Sequence, residues 1–258
     1  HYPLRRQRQM CIRDRVIRVL YLVFAVNMLI KVVVTFRYCK ETRQGKIRMA
    51  ETKDTSLLHM LYEYKELIPR VLKDKEVMKV LSVSVILYIT NIVSTNFFSL
   101  YVTQWLGIES RYLAFFPILN AAVMLIFMIG IQHKLELVKF RIPMWIGLAL
   151  YAIAVILLIL APTGSIPFVI VYVFVVAVAG SLVMPRKDAL IQLNINAEER
   201  ARINALIMSF TIAFSSPFGY FAGWLSSIDR RLPFMFSFAL FLVAIIIVGR
   251  IRDPEFSK

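Results

Sequence analysis

Long stretches of this chain carry no charge at all. Val80 to Ile108 contains no Asp, Glu, Lys or Arg across 29 residues, and Tyr112 to Gln132 is clean for 21. Ile142 to Pro185 is clean for 44, which is too long for one helix; it divides at the turn signal Pro162-Thr163-Gly164-Ser165. Ile203 to Ile228 adds 26 residues and Leu232 to Gly249 another 18. About 20 apolar residues in a helix cross the hydrocarbon core of a bilayer. The runs therefore predict six spans, at about 80–105, 112–131, 142–161, 166–185, 204–226 and 232–250. Val16 to Phe36, charged only at Arg18 and Lys31, predicts a seventh. Barrel strands would alternate apolar and polar over about ten residues, and these runs are continuous. The expected fold class is an all-α membrane protein, a six-helix bundle preceded by one transmembrane helix.

Composition agrees. Apolar residues make up 59% and charged residues 18%, with a mean hydropathy of +0.69. A soluble domain lies nearer 45–50% and about 25%. The net charge of +15 does not point to nucleic acid, because it is sorted by loop. Residues 37–79 hold 11 Lys and Arg, 132–141 hold three, 186–202 hold four and the tail from Arg250 holds three. The alternate loops, 107–111, 162–165 and 227–231, hold one, none and two. Twenty-one against three is a positive-inside signal. It predicts a multi-pass plasma-membrane protein whose long loop and C-terminus are cytoplasmic. Lipid is then its first partner, with some attraction to anionic headgroups.

One segment breaks the pattern. If Val16 to Phe36 spans, the residues before it lie outside, yet Arg5, Arg6, Arg8, Arg13 and Arg15 crowd there with Arg18 at the boundary. The string Gln7-Arg8-Gln9-Met10-Cys11-Ile12-Arg13-Asp14-Arg15 resembles a translated sequencing-library adapter, which would make residues 1–15 non-native. The alternative is a basic outer arm or a targeting segment. Without Cys11, Cys39 is the one cysteine left, at the expected cytoplasmic edge and reduced. The 37–79 loop is too long for a turn. After the N-cap candidates Thr52 to Ser56, Leu57, Leu61, Tyr64 and Ile68 recur at helical spacing, and Val71 to Met78 continue beyond Pro69. This predicts an amphipathic connection at the membrane interface.

Six spans after a long basic loop are the layout of one half of a two-bundle transporter. Three stretches carry a closer resemblance: Glu198 to Leu206, Ser215-Ser216-Pro217-Phe218-Gly219-Tyr220-Phe221-Ala222-Gly223, and Asp229-Arg230-Arg231-Leu232-Pro233-Phe234. Together they resemble the penultimate-helix region of major facilitator superfamily transporters. Lys40 to Gly45 is similar to the start of that family's central loop. The resemblance runs from about residue 16 to 258, covering the sixth helix, the central loop and helices seven to twelve. Near Gly130 to Arg141 the family's loop signature is incomplete: Lys134 stands where an Asp or Asn belongs, and no second Gly follows. The resemblance implies alternating-access transport of a small solute, with no cofactor, no metal and no covalent chemistry. It also implies a partner in the missing N-terminal half of the same protein. In that family the third and sixth helices of each half face lipid; here 142–161 has no Ser, Thr, Asn or Gln, and 232–250 has only Ser237.

The polar side chains nominate a site. Ser84, Tyr88, Asn91 and Thr95 recur at steps of four, three and four on one helical face, with Asn96 beside them. They are candidates for the substrate pathway, or for hydrogen bonds between helices. Asn120, the one amide of its span, either joins that cavity or bonds a neighbour. Ser215, Gly219 and Gly223 form a small-residue stripe for close packing, and Pro217 predicts a bend. Ala177, Gly180 and Ser181 suggest tight packing too. The six later spans hold no Asp, Glu, Lys or Arg before Arg250 at the end of the last, which favours an uncharged or amphipathic solute. The three histidines, His1, His59 and His133, lie in flanks or loops, and no nucleophile–base or metal-ligand pattern is present; an enzyme is not expected. The rival reading is a complete seven-span receptor or scaffold. A retinal protein would need a lysine in the last span, and 232–249 has none.

Overall fold

The computed structural model describes residues 2–40, 45, 65, 68–69, 71–132, 138–193 and 200–251, and of 2–16, 192–193 and 200–201 the backbone alone. The amphipathic helix expected between Thr52 and Ile68 lies almost wholly outside the described residues, as do the middle of the 130–141 loop, Glu198 and Glu199. The chain divides into two units, residues 1–62 and 63–258.

In the first unit, helix α1 runs from Tyr2 to Tyr38. Its apolar part, Ile17–Tyr38, is 22 residues long with none of its hydropathic window buried. At 1.5 Å per residue that is about 33 Å, enough for a bilayer core.

The second unit is a helical bundle. Helix α2 spans Lys75–Leu100 and passes directly into a π-helical turn, Tyr101–Trp105. A 3-10 turn, Ser110–Ala114, leads into α3, Phe115–Gly130. Helices α4 (Arg141–Ile159), α5 (Ile166–Leu193), α6 (Arg200–Ile228) and α7 (Leu232–Gly249) follow. The described residues contain seven helices long and apolar enough to cross a membrane and no strand. The chain is an all-α, multi-pass membrane protein.

Local chemistry sets the helix starts. Asp74 caps α2, its carboxylate accepting from the amides of Glu76 at 2.9 Å and Val77 at 3.3 Å. Pro117, Pro143, Pro167 and Pro233 sit in the first turns of α3, α4, α5 and α7, where a missing amide costs nothing. The turn expected at 162–165 is present. Gly164 adopts φ +77°, and its amide donates to the Leu106 carbonyl at 2.7 Å.

The expected end of the fourth bundle span at Pro185 is corrected, because α5 continues through Pro185 to Leu193. The proline removes only the amide that would bond Ser181, and the helix tolerates it beyond the apolar run. The predicted 186–202 loop is correspondingly shorter, with α6 beginning at Arg200.

The bundle has two distinct ends. At one, the Tyr101 hydroxyl donates to the Leu158 carbonyl at 3.1 Å, its ring lies 4.9 Å from Phe234, and Arg231 stacks over Trp105 at 4.6 Å. At the other, the Lys79 ammonium donates to the Arg250 carbonyl at 2.7 Å, the Trp145 indole to the Ile245 carbonyl at 3.1 Å, and Arg186 stacks over Phe140 at 5.2 Å. This second end carries the basic loops.

Burial does not follow the expected lipid-facing pattern. The third bundle span, α4, packs along α5 and α7, and Leu148, Ala154 and Leu158 on it are fully buried. The α3 helix buries only Phe116. Tight packing centres on the α4–α5 seam. A Cβ on Gly147 would meet Val183 Cγ2 at 2.5 Å and the Ala179 carbonyl at 3.1 Å, and one on Gly180 would meet the Tyr151 hydroxyl at 3.0 Å. The stripe on α6 is looser: Cβ atoms at Gly219 and Gly223 would make ordinary contacts of 3.8 and 4.0 Å with Ile92 and Phe97. Gly147→Val should destabilise the bundle by about 1–3 kcal/mol through overpacking. Gly219→Ala should be neutral or slightly stabilising, since alanine is the better helix former. Denaturant titration of the purified chain in detergent checks both.

Candidate functional site

Three helices each turn one stripe toward a common cleft of about 270 Å³. From α2 come Ser84, Leu87, Tyr88 and Asn91; from α5, Met184, Lys187, Asp188 and Ile191; from α6, Asn204, Ile207, Met208, Thr211 and Ile212. Each set follows the i, i+3, i+4, i+7 spacing of a single helical face. The cleft runs from the middle of α2 toward the basic end, where α5 stops and α6 starts.

The structure brings Ser84, Tyr88 and Asn91 together as expected. Ser84 is buried and donates to the Val80 carbonyl at 2.9 Å, so its proton is already used within its own helix. Tyr88 and Asn91 are exposed to the cleft. Thr95 is exposed one turn further on, its hydroxyl 3.5 Å from the Asn91 side-chain oxygen, and it does not line the cleft. Asn96 is exposed and also lies away from it. Asn120 is absent from the cleft wall, and its buried side-chain oxygen has no hydrogen-bond partner among the described residues.

The small-residue stripe packs α6 on α2. The Ser215 hydroxyl is buried and lies 3.5 Å from the Val85 carbonyl, with Gly219 and Gly223 against Ile92 and Phe97. Pro217 lies within the continuous helix α6.

Two groups in the cleft wall escape a reading of charge-free runs. Lys187 and Asp188 form an ion pair at 3.0 Å, Lys187 largely covered and Asp188 largely exposed. Ending the span at Pro185 had put both in a loop. This corrects the expectation of a cavity face without ionisable groups, although the pair is neutral overall. A pair so open to solvent contributes little stability. The other group is Thr211. Its hydroxyl is buried and has no partner among the described residues, an arrangement that costs about 1–3 kcal/mol. The i+7 step from Asn204 to Thr211 was legible, but nothing in the sequence marks that hydroxyl as unpaired.

Behind Asn91 and Met184, which belong to both walls, lies a smaller chamber of about 80 Å³. Its polar lining is Thr90, Asn91, Ser94, Tyr151 and Tyr172, backed by Val155, Val176 and Phe241. Tyr151 stacks flat on Phe241 at 5.0 Å, and Tyr172 stacks on Phe98 at 5.4 Å. Thr90 donates to the Leu87 carbonyl at 3.0 Å. The chamber is roomy and polar enough for a few waters.

Chemically, the cleft offers neutral amides and hydroxyls, one phenol and a self-compensated ion pair. Leu87, Ile191, Ile207 and Ile212 supply apolar wall, and Met184 and Met208 can repack around differently shaped guests. Among the described residues no group of three His, Cys, Asp or Glu could hold a metal ion. No protein-family model, curated protein or solved structure matches the chain.

Thr211→Val replaces the orphan hydroxyl with a methyl of similar volume. The variant should be as stable as the parent or up to about 1 kcal/mol more stable, read as its melting temperature in detergent. A clear loss of stability would mean that the hydroxyl has a partner in solution.

Proposed function

We propose that this chain is the C-terminal half of a major facilitator-type transporter, with the sixth helix attached, and that it moves a small uncharged or amphipathic solute by alternating access. The observation that carries the reading is the cleft itself. Three helices contribute polar stripes to one concavity that reaches from the basic end of the bundle to Asn91 near the middle of α2, where hydrocarbon could not satisfy those groups; transporter substrates bind near the bilayer midplane. The resemblance of residues 198–234 supports it further, as does a basic loop ahead of six spans.

In this reading the basic end is cytoplasmic and the membrane is the plasma membrane. The cleft opens toward that end, so the bundle is one wall of an inward-facing cavity. The solute would lie against Tyr88 and Asn91, with Asn204 and Thr211 across from them. The Thr211 hydroxyl would gain in the bound state the partner it lacks in the free one. The ion pair Lys187–Asp188 stands at the mouth. Neither charge is free for a strongly anionic or cationic guest, so the wall suits neutral polar ones.

Sequencing the native locus upstream of the Val16 codon tests the architecture. About five further spans are expected, with a Gly/Asp/Arg-rich loop between the second and third. A start codon near Val16 would overturn the reading and put a seven-span receptor or scaffold in its place. For the site, Asn91→Ala and Tyr88→Ala in the intact protein should each lower vesicle transport of a neutral solute by about ten-fold or more at equal membrane abundance, since each removes a polar contact that a bound solute would bury, worth about 1–3 kcal/mol. Unchanged rates in both would remove the cleft from the pathway.

A further inference from the structure

At the basic end, the start of α2 and the finish of α7 stand side by side, and a second cleft of about 350 Å³ lies between them. It is separate from the cleft shared by α2, α5 and α6. On α2 its wall is the stripe Lys75, Met78, Lys79 and Ser82, again one helical face; on α7 it is Ile247 and Arg250, with Leu72 beside them. Lys75 and Arg250 are exposed and Lys79 partly so; of the apolar side chains, Met78 and Ile247 are half-buried and Leu72 is exposed. Below Ile247 and Arg250 the same face of α7 continues as Val243 and Ile246, both exposed.

We propose that this cleft binds the headgroup of an anionic phospholipid, with the acyl chains lying down the exposed face of α7. The charges support a phosphate at the mouth. Lys79 is held in place by Glu76 at 2.7 Å and by the Arg250 carbonyl at 2.7 Å. Those two bonds use two of the three ammonium protons and leave one for a guest. Glu76 offsets one of the three positive charges. Among the described residues the other carboxylate close by in sequence, Asp74, is turned to the amides of Glu76 and Val77 as the helix cap. The described side chains of the cleft therefore keep a surplus of positive charge. Basic pockets between helices at a membrane face select anionic lipids, at about 1 kcal/mol per basic side chain.

Two features favour a lipid over free phosphate. Leu72, Met78 and Ile247 would remain uncovered by an inorganic ion, and the apolar path along Val243 and Ile246 leads straight into the hydrocarbon. The proposal needs the bundle to lie in a membrane and does not depend on what the bundle transports.

Native mass spectrometry of the full chain in detergent, titrated with phosphatidylglycerol, phosphatidylcholine or inorganic phosphate, tests it. Phosphatidylglycerol should bind about ten-fold more tightly than phosphatidylcholine. Lys75→Gln and Arg250→Gln should each weaken that binding about five-fold. Glu76→Gln releases Lys79 and removes the opposing charge, so it should strengthen binding, an outcome that a misfolded variant would not give. Equal affinity for the two lipids, no loss in Lys75→Gln and Arg250→Gln, or no gain in Glu76→Gln overturns the proposal. Displacement of phosphatidylglycerol by inorganic phosphate at equal concentration would overturn the lipid assignment in favour of a plain phosphate site.

Discussion

Hydrocarbon offers no hydrogen bonds, and the arrangement of this bundle follows from that. A helix satisfies its backbone internally, so the burden falls on side chains. Most buried hydroxyls resolve it within their own helix. Ser84 donates to Val80, Ser181 to Ala177, Ser237 to Pro233 and Thr90 to Leu87. Such bonds need no partner helix and leave the packing to apolar contact and ring stacking. The exceptions are therefore informative. Thr211 and Asn120 keep buried oxygens without partners among the described residues, and Thr211 does so on the wall of the central cleft.

The same constraint explains where the interhelical polar bonds occur. Apart from Ser215 to the Val85 carbonyl, those described here lie at the bundle ends, where backbone carbonyls lose their helical partners. Tyr101 reaches the Leu158 carbonyl at the last turn of α4, and Lys79 reaches the Arg250 carbonyl just past α7. Gly164 joins the turn after α4 to the Leu106 carbonyl after α2. The π-helical turn at Tyr101–Trp105 widens α2 where it leaves the bundle, and the fully buried Tyr101 and Val102 anchor it there. Arg231 then covers Trp105 from the opposite loop. Between the two ends the helices meet almost entirely through apolar and aromatic side chains.

Much of this was legible in the sequence, because charge-free runs and turn residues are dictated by the membrane itself. All seven spans, the turn at Pro162 to Ser165 and the face shared by Ser84, Tyr88 and Asn91 followed from spacing alone. What did not follow depends on tertiary contact. Gly147 reads as an ordinary helical glycine, and only Val183 across the seam makes it necessary. Pro185 reads as a stop, yet α5 runs on for two more turns, with Arg186 buried against Phe140. That continuation carries Lys187 and Asp188 into the cleft wall. Thr95 shares its helical face with Asn91 but does not line the cleft, which no periodicity could reveal.

The cleft is the consequence of how α6 meets α2. In the half of α6 away from the basic end the side chains toward α2 are small: the Ser215 hydroxyl lies 3.5 Å from the Val85 carbonyl, and Gly219 and Gly223 stand opposite Ile92 and Phe97. In the half nearer the basic end the corresponding side chains are Asn204, Met208 and Thr211, facing Tyr88 and Asn91 across open space. Small residues mark the convergent part and larger polar or flexible ones the divergent part, so the pair opens toward the basic end. Leu87, Asn91 and Met184 close the inner side of that opening and separate it from the hydroxyl-lined chamber. A guest entering the cleft would meet Asn91 at its deepest point. The amide is fixed there by a helix whose far end is tied to α4 through Tyr101 and whose near end is tied to α7 through Lys79.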